Sequence, residues 1–144
     1  MTEWEPLTAG YSQLSSGKSG GFVASFGPIF RNQSEWSICF QVHERHSNPT
    51  GMCHGGALST FADMQILALP QHTRDPTKHT PTISLAIDYL APATVGQWVI
   101  AKVEVLRITR SLIFTQAVLR ADGQAVARSN ATYRNNDRTG YLLG

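Results

Sequence analysis

His54, Gly55 and Gly56 stand in a row, immediately ahead of an apolar run that contains a single carboxylate, Asp63. Both ends of this arrangement suit chemistry on an electrophilic carbon. Glycine is a poor helix former, but it lets a ligand approach backbone N–H groups closely. At a helix start those N–H groups lack intrahelical acceptors and lie at the positive end of the helix dipole. That makes a place for an anion or a developing oxyanion. Asp63 lies among Phe61, Ala62, Met64 and Ile66, where an unpaired carboxylate is seldom buried. An outward, solvated position is the plain alternative for it.

The apolar run from Gly56 to Leu69 predicts one long buried helix, stopped by Pro70. His54 and Asp63 are nine positions apart. That is roughly 900° of helical rotation and about 13 Å along the axis. The two lie on opposite faces and cannot serve the same substrate atom within one chain. If both act on one centre, the site is shared by two copies, and a homodimer with two equivalent sites follows.

The elements that must hold this helix read as strands. Residues 22–26 are strand-like and lead through Gly27-Pro28 to Ile29-Phe30-Arg31. Ile38, Phe40 and Val42 alternate with Ser37, Cys39, Gln41 and His43, the pattern of a half-buried strand. Loop residues fill 46–56, and the polar segment 71–81 predicts an exposed loop. Four further strands are expected over 83–89, 99–106, 112–119 and 125–133, the last two joined by the hairpin signal Asp122-Gly123. The Ser/Gly-rich residues 1–20 allow a short helix ending near Gly17. Two strands, one buried helix and four strands make an α+β chain with an antiparallel sheet covering a single helix.

Composition narrows the class. The chain has 144 residues, of which 42% are hydrophobic and 15% charged, so it is too apolar and too sparsely charged for disorder. One domain is expected at this length, here residues 22–144 behind an N-terminal extension over 1–21. A net charge of +2 is too weak for a protein that neutralises many phosphates, so no nucleic-acid partner is expected. The run Ile66–Leu69 is far short of the ~20 apolar residues of a membrane span. With no secretory pattern at the N-terminus and only Cys39 and Cys53 as cysteines, a soluble, cytoplasmic protein is expected.

Two other chemistries are weaker. Gly10 to Gly17-Lys18-Ser19 imitates a phosphate-binding loop, but six residues separate the glycines instead of four, and no apolar strand leads in. Cys39, His43, His46, Cys53 and His54 lie close in sequence, but no spacing matches a zinc pairing, so no metal is expected. Neither cysteine has a nucleophile's setting; a small buried side chain is the ordinary role.

His46, Asn48, Gly51, His54, Gly55 and Gly56, followed by Asp63, resemble the pattern H-x-N-x-x-G-x-x-H-G-G plus an acidic helix residue. That pattern marks the hotdog-fold thioesterase superfamily, in particular its PaaI-like acyl-CoA thioesterases. The likeness spans about residues 22–134, including Thr82 to Tyr89, Pro92, Gly96 and Arg110-Ser111-Leu112. It implies a six-stranded antiparallel sheet wrapped around one long central helix, in dimers that pair again into tetramers. It also implies hydrolysis of an acyl-CoA thioester without metal or other cofactor. Asp63 would be the catalytic carboxylate, as general base or nucleophile, and the Gly55 N–H would polarise the thioester carbonyl. Asn48 would hold the water or carbonyl, Thr82 would position the water, and His54 would orient the loop by hydrogen bonding. Asp63 would come from one subunit, and Gly55 and Asn48 from the other. A helix Asp rather than Glu favours the PaaI-like branch over the 4-hydroxybenzoyl-CoA branch. Thr109 stands where many relatives have Gly before Arg110.

Gly56, Met52, Leu58 and Phe61, with the loop after Pro70, are expected to line an acyl pocket that favours aryl or medium-chain groups. Arg107 and Arg110, with Lys102 and Arg134, are candidate contacts for the CoA phosphates. A non-catalytic acyl-CoA-binding module and a hydroxyacyl thioester dehydratase are the alternatives. The second would need an Asp63–His54 pair across the dimer.

Overall fold

The structure, a computed structural model, describes residues 4–14, 21–69 and 80–135. Along the chain it forms β1 (Ser12–Gln13), α1 (Gly21–Phe26), β2 (Phe30–Asn32), β3 (Ser37–Gln41), a 3-10 turn Glu44–His46, α2 (Gly55–Ala62), a 3-10 segment Asp63–Ala68, then β4 (Thr82–Tyr89), β5 (Trp98–Ile108), β6 (Leu112–Ala121) and β7 (Gln124–Arg134). All strands join one antiparallel sheet in the order β1-β2-β3-β5-β6-β7-β4. The fold is α+β, a sheet curved around one central helical element, as in the hotdog architecture.

The hairpins form where local chemistry favours them. Asp122 and Gly123 both take positive φ, 48° and 78°, the geometry of a tight two-residue turn between β6 and β7. Alternation then points Val99, Ala101, Val103, Ile113, Ala117, Leu119, Ala127, Ala131 and Tyr133 to the buried face. Several of these are alanines, and small side chains there let the helix pack close to the sheet. Phe61 is fully buried against Phe40, with ring centroids 4.6 Å apart. Burying such a side chain contributes about 2–3 kcal/mol.

Four expectations need correction. Residues 22–26 form α1 rather than a strand; a five-residue apolar run carries no reliable period, and here only Phe26 is buried while Phe22 faces out. The first expected strand shrinks to β2 and gains β1 as a partner, so the sheet has seven strands instead of six. Strand β3 is not half-buried: Ser37 and Cys39 on its other face are as covered as Ile38 and Phe40. Tyr11 lies over them, its hydroxyl 2.5 Å from Ser37 Oγ, and Trp4 packs edge-on against Tyr11 and Trp98. Finally, the long helix changes type at Asp63, from α to 3-10.

The expected stop at Pro70, most of the loop 71–81 and the short helix near Gly17 lie outside the described residues. Among the described residues no helix is long and apolar enough to cross a membrane.

Candidate active site

The loop before α2 is tied down bond by bond. Buried His46 accepts the His43 N–H at Nδ1, 2.9 Å, which leaves Nε2 to donate to the Phe26 carbonyl at 2.5 Å. This ring therefore serves as a neutral cross-brace. Burial lowers its pKa below the usual histidine value, while the Phe26 contact opposes that shift. The His46 carbonyl takes the His54 N–H at 2.7 Å, and Ser47 and Cys53 bridge antiparallel. Gly51 turns this small hairpin at φ 81°, a conformation that disfavours any side chain. Asn48 closes the turn: its Oδ1 accepts from Thr50 N at 3.0 Å, Thr50 Oγ1 at 2.5 Å and Met52 N at 3.3 Å. The carboxamide oxygen is thus committed to the loop, and the NH2 group is the part left to meet a ligand.

His54 is the N-cap of α2. Its extended backbone lets Nδ1 accept the Gly56 N–H at 2.8 Å. A Cβ on Gly56 would lie 2.9 Å from that nitrogen, so the cap requires glycine there. With Gly56 capped, the Gly55 N–H is the donor at the helix start that meets no acceptor among the described residues. Tyr89 fixes this position from β4. Its hydroxyl donates to the Gly55 carbonyl at 2.9 Å and lies 2.5 Å from Ser59 Oγ. The Tyr89 ring also stands 3.2 Å from where a Gly55 Cβ would project. Sequence reasoning missed Tyr89; its alternation marked it only as a strand residue, and nothing local links it to a glycine 34 positions away.

Asp63 occupies the other end of α2, half-buried at its C-cap. Thr82 Oγ1 donates to Asp63 Oδ1 at 2.6 Å. A bulge between Thr82 and Ser84 breaks the β4–β7 register beside this contact, the kind of irregularity that re-aims a side chain. Behind Asp63, the buried Tyr133 hydroxyl donates to the Asp63 carbonyl at 2.6 Å. Its phenol is raised far above the ordinary value, mainly by burial and then by the nearby Asp63 charge.

The structure therefore brings Asp63 and Thr82 together, and separately His54, Gly55, Gly56, Asn48 and Met52. The two groups lie at opposite ends of β4, since Thr82 begins that strand and Tyr89 ends it. Along the axis of α2, Gly55 and Asp63 are about 12 Å apart.

Leu58 and Phe61 are core side chains here, and Met52 is half-exposed. Arg107, Arg110 and Arg134 are exposed near the Thr82 end: Leu112 pairs with Arg134, and Arg134 N–H reaches the Pro81 carbonyl. Lys102 stands apart, midway along β5, in a groove of about 910 Å³ on the outer face with Glu104, Val118 and Arg120. Cys39 and Cys53 are buried free thiols, pushed up to about 12 and about 11 by burial. That leaves little thiolate for nucleophilic work.

Residues 50–128 match the family model of the thioesterase superfamily. A Pseudomonas aeruginosa protein provisionally described as an esterase is 27% identical over 119 residues, covering 81% of this chain and 89% of its own length. Human acyl-coenzyme A thioesterase 13 is 29% identical over 98 residues, 66% of this chain and 69% of that one. Among solved structures, a point mutant of the phenylacetic acid degradation protein PaaI from Thermus thermophilus superposes with TM-score 0.61. It is 22% identical and covers 91% of this chain and 99% of its own.

Proposed function

This chain belongs to the thioesterase superfamily and is a thioester hydrolase, and from that premise we propose that it cleaves an aryl or medium-chain acyl-CoA to the free acid and CoA. The observation that carries this reading is a pair of half-sites. One is the open Gly55 N–H at a capped helix start, and the other is the Asp63 carboxylate held by Thr82.

In this reading the thioester carbonyl accepts the Gly55 N–H, and the positive end of α2 stabilises the oxyanion as the carbonyl carbon becomes tetrahedral. Such a donor is typically worth about 3–4 kcal/mol. The Asn48 NH2 steadies the water or the carbonyl. Asp63 either takes a proton from the attacking water or attacks the carbon itself to give an anhydride that water then opens. Collapse of the tetrahedral centre expels the CoA thiolate, an easier leaving group than an alkoxide or amine, so no metal is required. Arg107, Arg110 and Arg134 are placed to meet CoA phosphates.

A homodimer joins the half-sites. Strand β4 is a sheet edge, and Ile83, Tyr89 and Leu90 leave large apolar side chains more than half exposed along it. Antiparallel pairing of β4 with a second β4 sets Thr82 and Asp63 of one subunit beside Tyr89 and Gly55 of the other. The sheet's outer face, with its mixed charges, then serves for pairing of dimers. Two buried free thiols suit a reducing, cytoplasmic setting. The dehydratase alternative fares less well, because His54 commits Nδ1 to Gly56.

The test is thiol release from acetyl-, hexanoyl-, decanoyl-, phenylacetyl- and benzoyl-CoA. Best kcat/KM on an aryl or medium-chain member is expected. Acetyl-CoA as the best substrate would refute the apolar preference. Tight binding without hydrolysis would move the reading to a binding module.

A further inference from the structure

The change of helix type at Asp63 has a visible cause. In a continuing α-helix the Asp63 carbonyl would accept from the N–H of residue 67, and Ile66 N–H would donate to the carbonyl of residue 62. Instead the Tyr133 hydroxyl enters the ladder. It donates to the Asp63 carbonyl at 2.6 Å, while the N–H groups of Ile66 and Gln65 are directed at its oxygen. Insertion of a side-chain group between ladder partners is a recognised cause of a helix break, and 3-10 geometry inside a helix often marks a functional position.

Gln65 anchors the same turn from inside. It is fully buried, and both ends of its carboxamide are used. Oε1 accepts from Thr115 Oγ1 at 2.9 Å and Nε2 donates to Ser129 Oγ at 3.2 Å; Ser129 in turn donates to the Ala86 carbonyl at 2.9 Å. One polar chain thus runs from β6 through the turn and β7 to β4, the strand that carries Thr82. Polar groups are buried in this way only with all partners in place.

We propose that Tyr133 is a positioning residue: by entering the helix ladder at Asp63 it sets the turn, locked by Gln65, that aims the carboxylate at Thr82. The proposal rests on the thioesterase reading of Asp63. Burial keeps the phenol protonated through the working range, so the donor is always present.

Tyr133→Phe keeps the ring and removes the hydroxyl. The hydrolysed acyl-CoA is assayed for kcat and KM separately, in the wild-type and Thr82→Val backgrounds, and amide hydrogen exchange at Gln65 and Ile66 is followed in the free protein. Expected are a fall in kcat of about ten- to hundredfold with KM within about twofold, and a further loss of less than about threefold in the Thr82→Val background. Non-additivity follows because both changes release the same carboxylate; a purely structural role would multiply the losses. Exchange at the two amides should accelerate at least about tenfold while the β5–β6 pairing stays protected. Wild-type kcat, fully multiplicative losses or unchanged exchange would each overturn the proposal. Thr115→Val, which strips one bond from Gln65 and spares the phenol, serves if Tyr133→Phe does not fold. It should lower kcat about three- to tenfold with the same non-additivity, and wild-type kcat there overturns the proposal equally. Full turnover by Asp63→Asn would instead defeat the reading of Asp63 as the catalytic carboxylate, and the exchange result would still decide whether Tyr133 sets the turn.

Discussion

Thr82 donates its hydroxyl to Asp63 at 2.6 Å, tying the start of an edge strand to the end of the central α-helix across 19 positions of sequence. A carboxylate given one fixed donor keeps its second oxygen free for a water or an acyl carbon. Thr82→Val preserves shape and branching and deletes the bond. A lost charge-assisted hydrogen bond is worth about 1.5–3 kcal/mol, so kcat should fall about ten- to a hundredfold with KM little changed. Steady-state thiol release checks it.

Gly55→Ala should damage the other half-site. The added Cβ meets the Tyr89 ring at 3.2 Å, so either the ring or the helix start must shift. A displaced N–H loses its aim at the carbonyl oxygen, and a fall in kcat/KM of about a hundredfold is expected. Combining it with Tyr89→Ala, which vacates the space, should recover part of the loss. No recovery would mean that the glycine is needed for another reason.

Acid should weaken the fold through His46. Its folded pKa lies below the unfolded value near 6.5, so the unfolded chain binds the proton first. His46 therefore costs nothing above about pH 6.5. The penalty grows as the pH falls from there toward the folded pKa. The neighbouring Arg45 and His43 charges act in the same direction. His46→Gln should melt lower than wild type at pH 7.5 but lose less Tm between pH 7.5 and 5.5. Parallel Tm–pH curves for the two proteins would contradict this.

Shared sites make a mixing prediction. Asp63→Asn and Asn48→Ala subunits, each inactive alone, should regain activity when refolded together, because one of the two mixed sites is then intact. Lack of rescue in demonstrated heterodimers would place the site within one chain.

Much of this was legible in the sequence, and for physical reasons. The loop over 46–56 and the Asp122-Gly123 hairpin are local, set by residues a few positions apart, whereas the His54 cap on Gly56 is seen only in the structure. Alternation in β5 to β7 is repeated over enough residues to be unambiguous. The failures were short or long-range. Residues 22–26 are too few to show a period. The helix break at Asp63 depends on Tyr133, 70 positions away, and Tyr89 reaches Gly55 across 34; no local pattern carries either contact.

Asp63→Asn tests the central claim most directly. The amide matches the carboxylate in size and can still meet Thr82, but it can neither take a proton from water nor attack a thioester. On whichever acyl-CoA the wild type hydrolyses best, kcat should drop by about a hundredfold or more while binding and Tm stay close to wild type. Near-wild-type turnover in Asp63→Asn across the whole acyl-CoA panel would contradict the account.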